Sequence, residues 1–87
     1  MMISKYRKKI DKIDRKIIKL LKQRLIITNR IGMIKKKNNL PICDKKREEY
    51  ISQKLENNSK KYKINKRYLE DIFKIILKNL KDNQNKI

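Results

Sequence analysis

The sequence predicts an all-α chain of three helices, one long and two shorter, that pairs with a second copy into a helical homodimer. Three observations point there. Apolar residues repeat at alternating spacings of three and four from Ile3 to Ile34, as a helical stripe requires. No segment shows the period-two alternation of a strand. The only proline, Pro41, stands well past the first stripe, where it stops the helix instead of breaking it.

The first helix is expected over about Ile3 to Lys37, with the seam Ile3, Tyr6, Ile10, Ile13, Ile17, Leu20, Ile27, Ile31 and Ile34. At a rise of about 1.5 Å per residue it runs roughly 50 Å. A compact monomer of this length measures only about 30 Å across, so the helix overshoots its own globule. A partner chain alongside covers the seam, and a homodimer is the commonest arrangement. Asn38-Asn39 offers a left-handed cap before Pro41. Asp44 is a natural N-cap for a second helix running to about Asn57-Asn58-Ser59, and Lys60 to Lys63 reads as a basic connector. Asn65 caps a third helix through about Asn83, with Leu69, Ile72, Phe73, Ile76 and Leu80 on one face. The polar tail after Asp82 is expected to fray.

Composition bounds the rest. Eighty-seven residues suffice for a single domain, residues 1–87, with a thin core of its own. One cysteine, Cys43, excludes an internal disulfide and suits a reducing cytosol; it reads as an inert loop residue. The charged N-terminus carries no signal peptide, and no apolar run reaches membrane-spanning length, which predicts a cytoplasmic protein with no membrane partner. A formal net charge of +18 would ordinarily favour nucleic acid. However, the chain lacks Ala, Val, His and Trp and is dominated by Lys, Ile and Asn, the mark of drift toward AT-rich codons. Its lysines spread along every helix, with few aromatics to stack bases. These features argue against nucleic acid as the partner.

Polar residues interrupt each apolar stripe, and they mark the candidate site. Arg24 occupies a seam position; a guanidinium buried there without a partner would cost roughly 3–5 kcal/mol, so an anion must meet it. Lys35 lies eleven residues later, turned by only about 20° and displaced about 16 Å along the axis. On the second helix Asp44 and Glu48 share a face with Ile51 and Leu55, and on the third Gln84 lies a turn beyond Leu77 and Leu80. Two inward cations facing a carboxylate and an amide suit an anionic ligand bearing hydroxyl or ether oxygens. Each residue also has a plainer reading. Arg24 could fix helix register against a glutamate of the partner, Arg7 and Lys35 could snorkel to solvent, Asp44 could only cap, Glu48 could only complement the helix dipole, and Gln84 could lie idle in a frayed tail.

The run R-x-x-I-D-x-x-D-x-x-I-I-x-L-L-x-x-R from Arg7 to Arg24, then Gly32, Lys35 and P-I-C-D-K-K-R-E from Pro41 to Glu48, resembles the all-α chorismate mutases, which are intertwined three-helix dimers. The resemblance covers nearly the whole chain. It implies conversion of chorismate to prephenate by a Claisen rearrangement, in phenylalanine and tyrosine biosynthesis, with neither metal nor cofactor. By position, it makes Arg24 the cation for the ligand's side-chain carboxylate and Arg7 the arginine contributed to the partner subunit's site. Lys35 and Gln84 become donors to the ether oxygen, Asp44 and Glu48 holders of the ring hydroxyl, and Arg47 a residue that helps bind through its backbone. The sequence departs from the resemblance at Leu80, where similar chains usually have a serine near the ring carboxylate. Two other functions stay open: an isochorismate pyruvate-lyase on the same scaffold, and a non-catalytic basic helical nucleic-acid-binding protein. The chain is either a complete enzyme or a domain of a fusion with another shikimate-pathway enzyme.

Overall fold

The computed structural model describes residues 2–41 and 44–86, with side chains through residue 79. Helices α1 (Met2–Lys37), α2 (Lys45–Tyr62) and α3 (Lys66–Lys86) account for nearly all of it, and the described residues include no strand. Cys43 lies outside the described residues, as do the side chains of Leu80 and Gln84.

Local chemistry ends each helix where it ends. Asn39 adopts the left-handed conformation at φ 55°. The Leu40 N–H donates to Lys35 O at 2.7 Å and the Asn39 N–H to Lys36 O at 3.3 Å, the paired bonds of a Schellman cap. Lys35, Lys36 and Lys37 lie in that last turn, where cations offset the negative end of the helix dipole. Asp44 caps α2 as expected, its Oδ1 accepting the Arg47 N–H at 3.1 Å. The expected end of α2 at Asn57-Asn58-Ser59 is corrected: the helix continues to Tyr62, and the left-handed cap falls on Lys63 at φ 55°. The Ser59 hydroxyl donates to Glu56 O at 2.9 Å, so it bonds within the helix instead of terminating it. The connector therefore narrows to Lys63–Asn65. Asn65 caps α3 through its Oδ1, which accepts the Tyr68 N–H at 3.1 Å. That helix extends past the expected Asn83 to Lys86, so the backbone after Asp82 is helical.

Helix α3 is the hub: α1 packs against it and so does α2, while α1 and α2 form no backbone contact of their own. The only buried residues described are Gly32 on α1 and Ile51 and Leu55 on α2. Leu69, Ile72, Phe73, Ile76 and Leu77 of α3 are half-buried. On α1 the half-buried stripe is Leu25, Thr28 and Asn29 around Gly32, a different face from the heptad seam. Gly32, with no side chain, permits close helix approach there.

The seam itself stays uncovered within one chain, with exposures from 42% at Ile31 to 61% at Leu20. Consequently the molecule is extended, measuring 57 × 26 × 16 Å with a radius of gyration of 16.2 Å, against about 12 Å for a compact chain of this length. Its accessible surface is 8087 Å², about 2,600 Å² more than a compact monomer of its mass exposes.

Candidate active site

Arg24 emerges from α1 half-buried, at the edge of the stripe that packs on α3. It lines a pocket of about 210 Å³ with Leu21, Leu25, Ile75, Ile76 and Asn79. Its pKa is lowered from the ordinary arginine value, first by burial and then by the nearby positive charge of Arg47. The fold thus brings two guanidiniums, one from α1 and one from α2, into electrostatic reach of each other. Among the described residues no carboxylate lies within ion-pairing distance of either; the ion pairs are Lys66 with Glu56 and Glu70, and Arg67 with Asp71. A half-buried cation that also feels a second positive charge is one that a bound anion would relieve.

The other expected residues fall around this pair unequally. Lys35 is half-buried on α1, eleven residues along from Arg24. Glu48 is half-buried on α2 and lines an open groove of about 590 Å³ between α2 and α3, together with Ile51, Leu55, Phe73 and Leu77. Asp44 and Arg47 form the exposed rim at the start of α2. Gln84 lies on the backbone of α3, and its side chain is outside the described residues. Arg7 is exposed and stands seventeen residues before Arg24, about 25 Å away along α1 and turned by roughly 100°. Arg7 and Arg24 of one chain therefore do not share a small pocket.

Sequence reasoning missed three polar residues that stand behind or beside Arg24. The Thr28 hydroxyl donates to Arg24 O at 2.9 Å and lies 3.2 Å from Leu25 O, which loads the turn that carries Arg24. The Asn29 Oδ1 is buried with no hydrogen-bond partner among the described residues. Asn79 borders the Arg24 pocket from α3. The signal was present: Thr28 and Asn29 stand four and five residues after Arg24, on the adjacent face. Attention to the apolar seam hides them, because the face the chain buries for itself reads Leu, Thr, Asn, Gly.

Geometry alone defines a class: a small all-α chain with a half-buried arginine lining a pocket between two of its helices. The chain belongs to the family Chorismate mutase type II, which matches residues 6–85. It is 33% identical over 79 residues to a chorismate mutase of Methanocaldococcus jannaschii, covering 91% of this chain and 80% of that one. It is also 38% identical over 72 residues to a bifunctional chorismate mutase/prephenate dehydratase of Buchnera aphidicola subsp. Schizaphis graminum, which covers 83% of this chain and 19% of the relative. A bifunctional chorismate mutase/prephenate dehydratase of Aquifex aeolicus is 45% identical over 53 residues, 61% of this chain and 15% of the relative. The chain thus spans about a fifth of the length of the first of these bifunctional relatives. No solved structure matches it.

Proposed function

We propose that this chain, as one domain over residues 1–87, is a chorismate mutase that rearranges chorismate to prephenate as a homodimer. The observation that carries the reading is Arg24 in a chain of this family: a half-buried guanidinium that lines a pocket, its pKa lowered by burial and by the positive charge of Arg47, with no carboxylate within ion-pairing distance among the described residues. A dicarboxylate substrate supplies the missing charge.

The chemistry suits these residues. One C–O bond breaks while one C–C bond forms, no proton moves and no covalent enzyme intermediate is needed, so the lack of histidine is no handicap. The protein must hold a flexible substrate in its reactive conformer, and arginine clamps do this. Arg24 grips the side-chain carboxylate. Lys35 and Gln84 donate to the ether oxygen, on which negative charge grows as the bond lengthens. Asp44 and Glu48 hold the ring hydroxyl, Arg47 adds its backbone, and Leu80 leaves the ring carboxylate without the hydroxyl contact usual in similar chains. Arg7 of the partner subunit completes the clamp.

The exposed seam supports the second chain. Its surface excess of about 2,600 Å² per chain is the scale that obligate interfaces bury, and the residues exposed are the isoleucines and leucines of a heptad. The test is to add chorismate to the purified chain and follow its loss of absorbance together with prephenate formation. Turnover yielding prephenate supports the reading; pyruvate release from isochorismate, or no turnover of either compound, refutes it.

A further inference from the structure

The lysines that scatter along the sequence gather on one side of α1. Lys5, Lys8, Lys12, Arg15, Lys19 and Lys22 follow one another at alternating intervals of three and four, the spacing that keeps side chains on one helix face. Arg30 and Lys37 prolong the same line, which runs about 48 Å at the helical rise. All eight are exposed. Among the described residues none of the eight forms an ion pair. The only acidic residues of α1 are Asp11 and Asp14; at about 100° per residue, Asp11 stands at the margin of the line and Asp14 about 130° away from it.

This face is free of the work assigned to the rest of the helix. It is turned about 150° from the apolar seam and about 130° from Gly32, at the face that α3 packs against. Neither α3 nor a copy docked along the seam covers it, and Arg7, Arg24 and Lys35 all lie off it.

A line of cations on a straight rod selects among polyanions by shape. The 36 residues of α1 make about 54 Å of helix, close to the 57 Å length of the molecule, so α1 is not sharply bent. The groove of duplex nucleic acid winds away from a straight helix within one turn of about 34 Å. Tyr6, the only aromatic residue of α1, is on the seam and cannot stack the bases of a single strand against the line. A flat surface, by contrast, meets the line along its whole length. Ile26 and Met33 stand among the cations, 45% and 59% exposed; apolar side chains there suit headgroups that overlie hydrocarbon, not a row of phosphates in water.

We propose that the outward face of α1 is a docking surface for an anionic lipid bilayer, on which the helix lies flat, held by its line of cations with Ile26 and Met33 entering the headgroup layer. No helix among the described residues is long and apolar enough to cross a membrane. Lying on the surface needs no such length of apolar chain.

The test is co-sedimentation of the purified chain with vesicles of phosphatidylcholine alone and of equimolar phosphatidylcholine and phosphatidylglycerol, at about 0.15 M salt. Binding is expected only to the second. One variant replaces Lys12, Arg15, Lys19 and Lys22 with glutamine; another replaces Lys54, Lys60, Lys61 and Lys63 and so carries the same net charge. None of the eight belongs to the proposed active site, and glutamine matches lysine in helix propensity, so circular dichroism should show the parent's helicity in both. Each basic residue near an anionic surface is worth roughly fivefold in partitioning, so the first variant should bind at least about a hundredfold more weakly, and the second within about fivefold of the parent. Ile26→Ser combined with Met33→Ser should weaken binding severalfold with every cation in place. Absence of binding to the anionic vesicles overturns the proposal. So do equal losses in the two charge variants, unchanged binding in the apolar one, or an affinity for duplex DNA through the same four cations that exceeds the affinity for the vesicles.

Discussion

Arg24 is expensive to keep where it is, and that is informative. Burial and Arg47 both lower its pKa, so the fold disfavours the charged form at every pH below the folded pKa, and the penalty fades only as pH rises from that value to the ordinary arginine one. A bound dianion removes the same penalty without deprotonation. Thermal unfolding should therefore shift upward when a dicarboxylate ligand is added, and the shift should shrink in Arg24→Met. Catalysis asks more of the residue than binding does. Arg24→Ala and Lys35→Ala should each lose at least about a hundredfold in kcat/KM with helicity intact, because each acts on charge in a water-poor site. Lys35→Arg should fail as well, since a planar fork does not replace a compact ammonium at a single oxygen. Near-normal rates in any of the three would return these residues to a structural role. If Gln84, an amide, serves the ether oxygen as proposed, no acid has to remain protonated. Activity measured from pH 6 to pH 8 should stay within about a factor of two, whereas a steep fall would mean that Glu48, or another carboxylate, must be protonated to act.

At the scale of elements, the helix ends do two kinds of work that one comparison separates. Asp44 and Asn65 are both N-caps, accepting the N–H of Arg47 and Tyr68 at 3.1 Å each. Alanine at either should cost about 1 kcal/mol of stability, read as a drop in the denaturation midpoint. Only Asp44→Ala should also depress activity strongly, because the start of α2 carries Arg47 and Glu48 toward the site while the start of α3 carries only the surface residues Lys66 and Arg67. Equal activity losses in the two variants would make Asp44 a cap and nothing more. Helix α3 shows how far such local signals reach. Its face of Leu69, Ile72, Phe73 and Ile76 is legible from spacing, and all four are half-buried. The C-terminal end of α2 was less legible, because a stretch of Asn and Ser resembles a stop. The left-handed turn at Lys63 has no glycine or asparagine to announce it.

On the scale of the whole molecule, the chain is as long as its first helix, 57 Å, and the seam along that helix has no cover within the chain. In the proposed dimer, two copies that cover each other's seams would bring Arg7 of one subunit toward the site of the other. Arg7→Ala and Arg24→Ala homodimers should each be inactive. Unfolding and refolding an equal mixture makes half of the dimers mixed, and one site of each mixed dimer is whole, so roughly a quarter of the parent activity should return. If exchange is demonstrated and the mixture stays inactive, Arg7 does not serve the partner's site and the intertwined dimer is wrong.

From the sequence alone came the helix count, the caps at Asn39, Asp44 and Asn65, the core pair Ile51 and Leu55 with Glu48 in line, and Arg24 as the residue that does not belong on its stripe. These depend on spacing and side-chain type within a few turns, which the chain carries in its order. Tertiary structure decided which face of α1 the chain buries for itself. Two stripes run along that helix, the apolar seam and the face of Leu25, Thr28 and Gly32, and no local rule ranks them. The choice falls to α3, because Gly32 lets another helix come close where a bulkier residue would hold it off. The influence of the Arg47 charge on Arg24 followed from the same choice: two helices without backbone contact are held near each other by a third that packs against both, and that is a fact of three dimensions which no spacing along one strip of sequence contains.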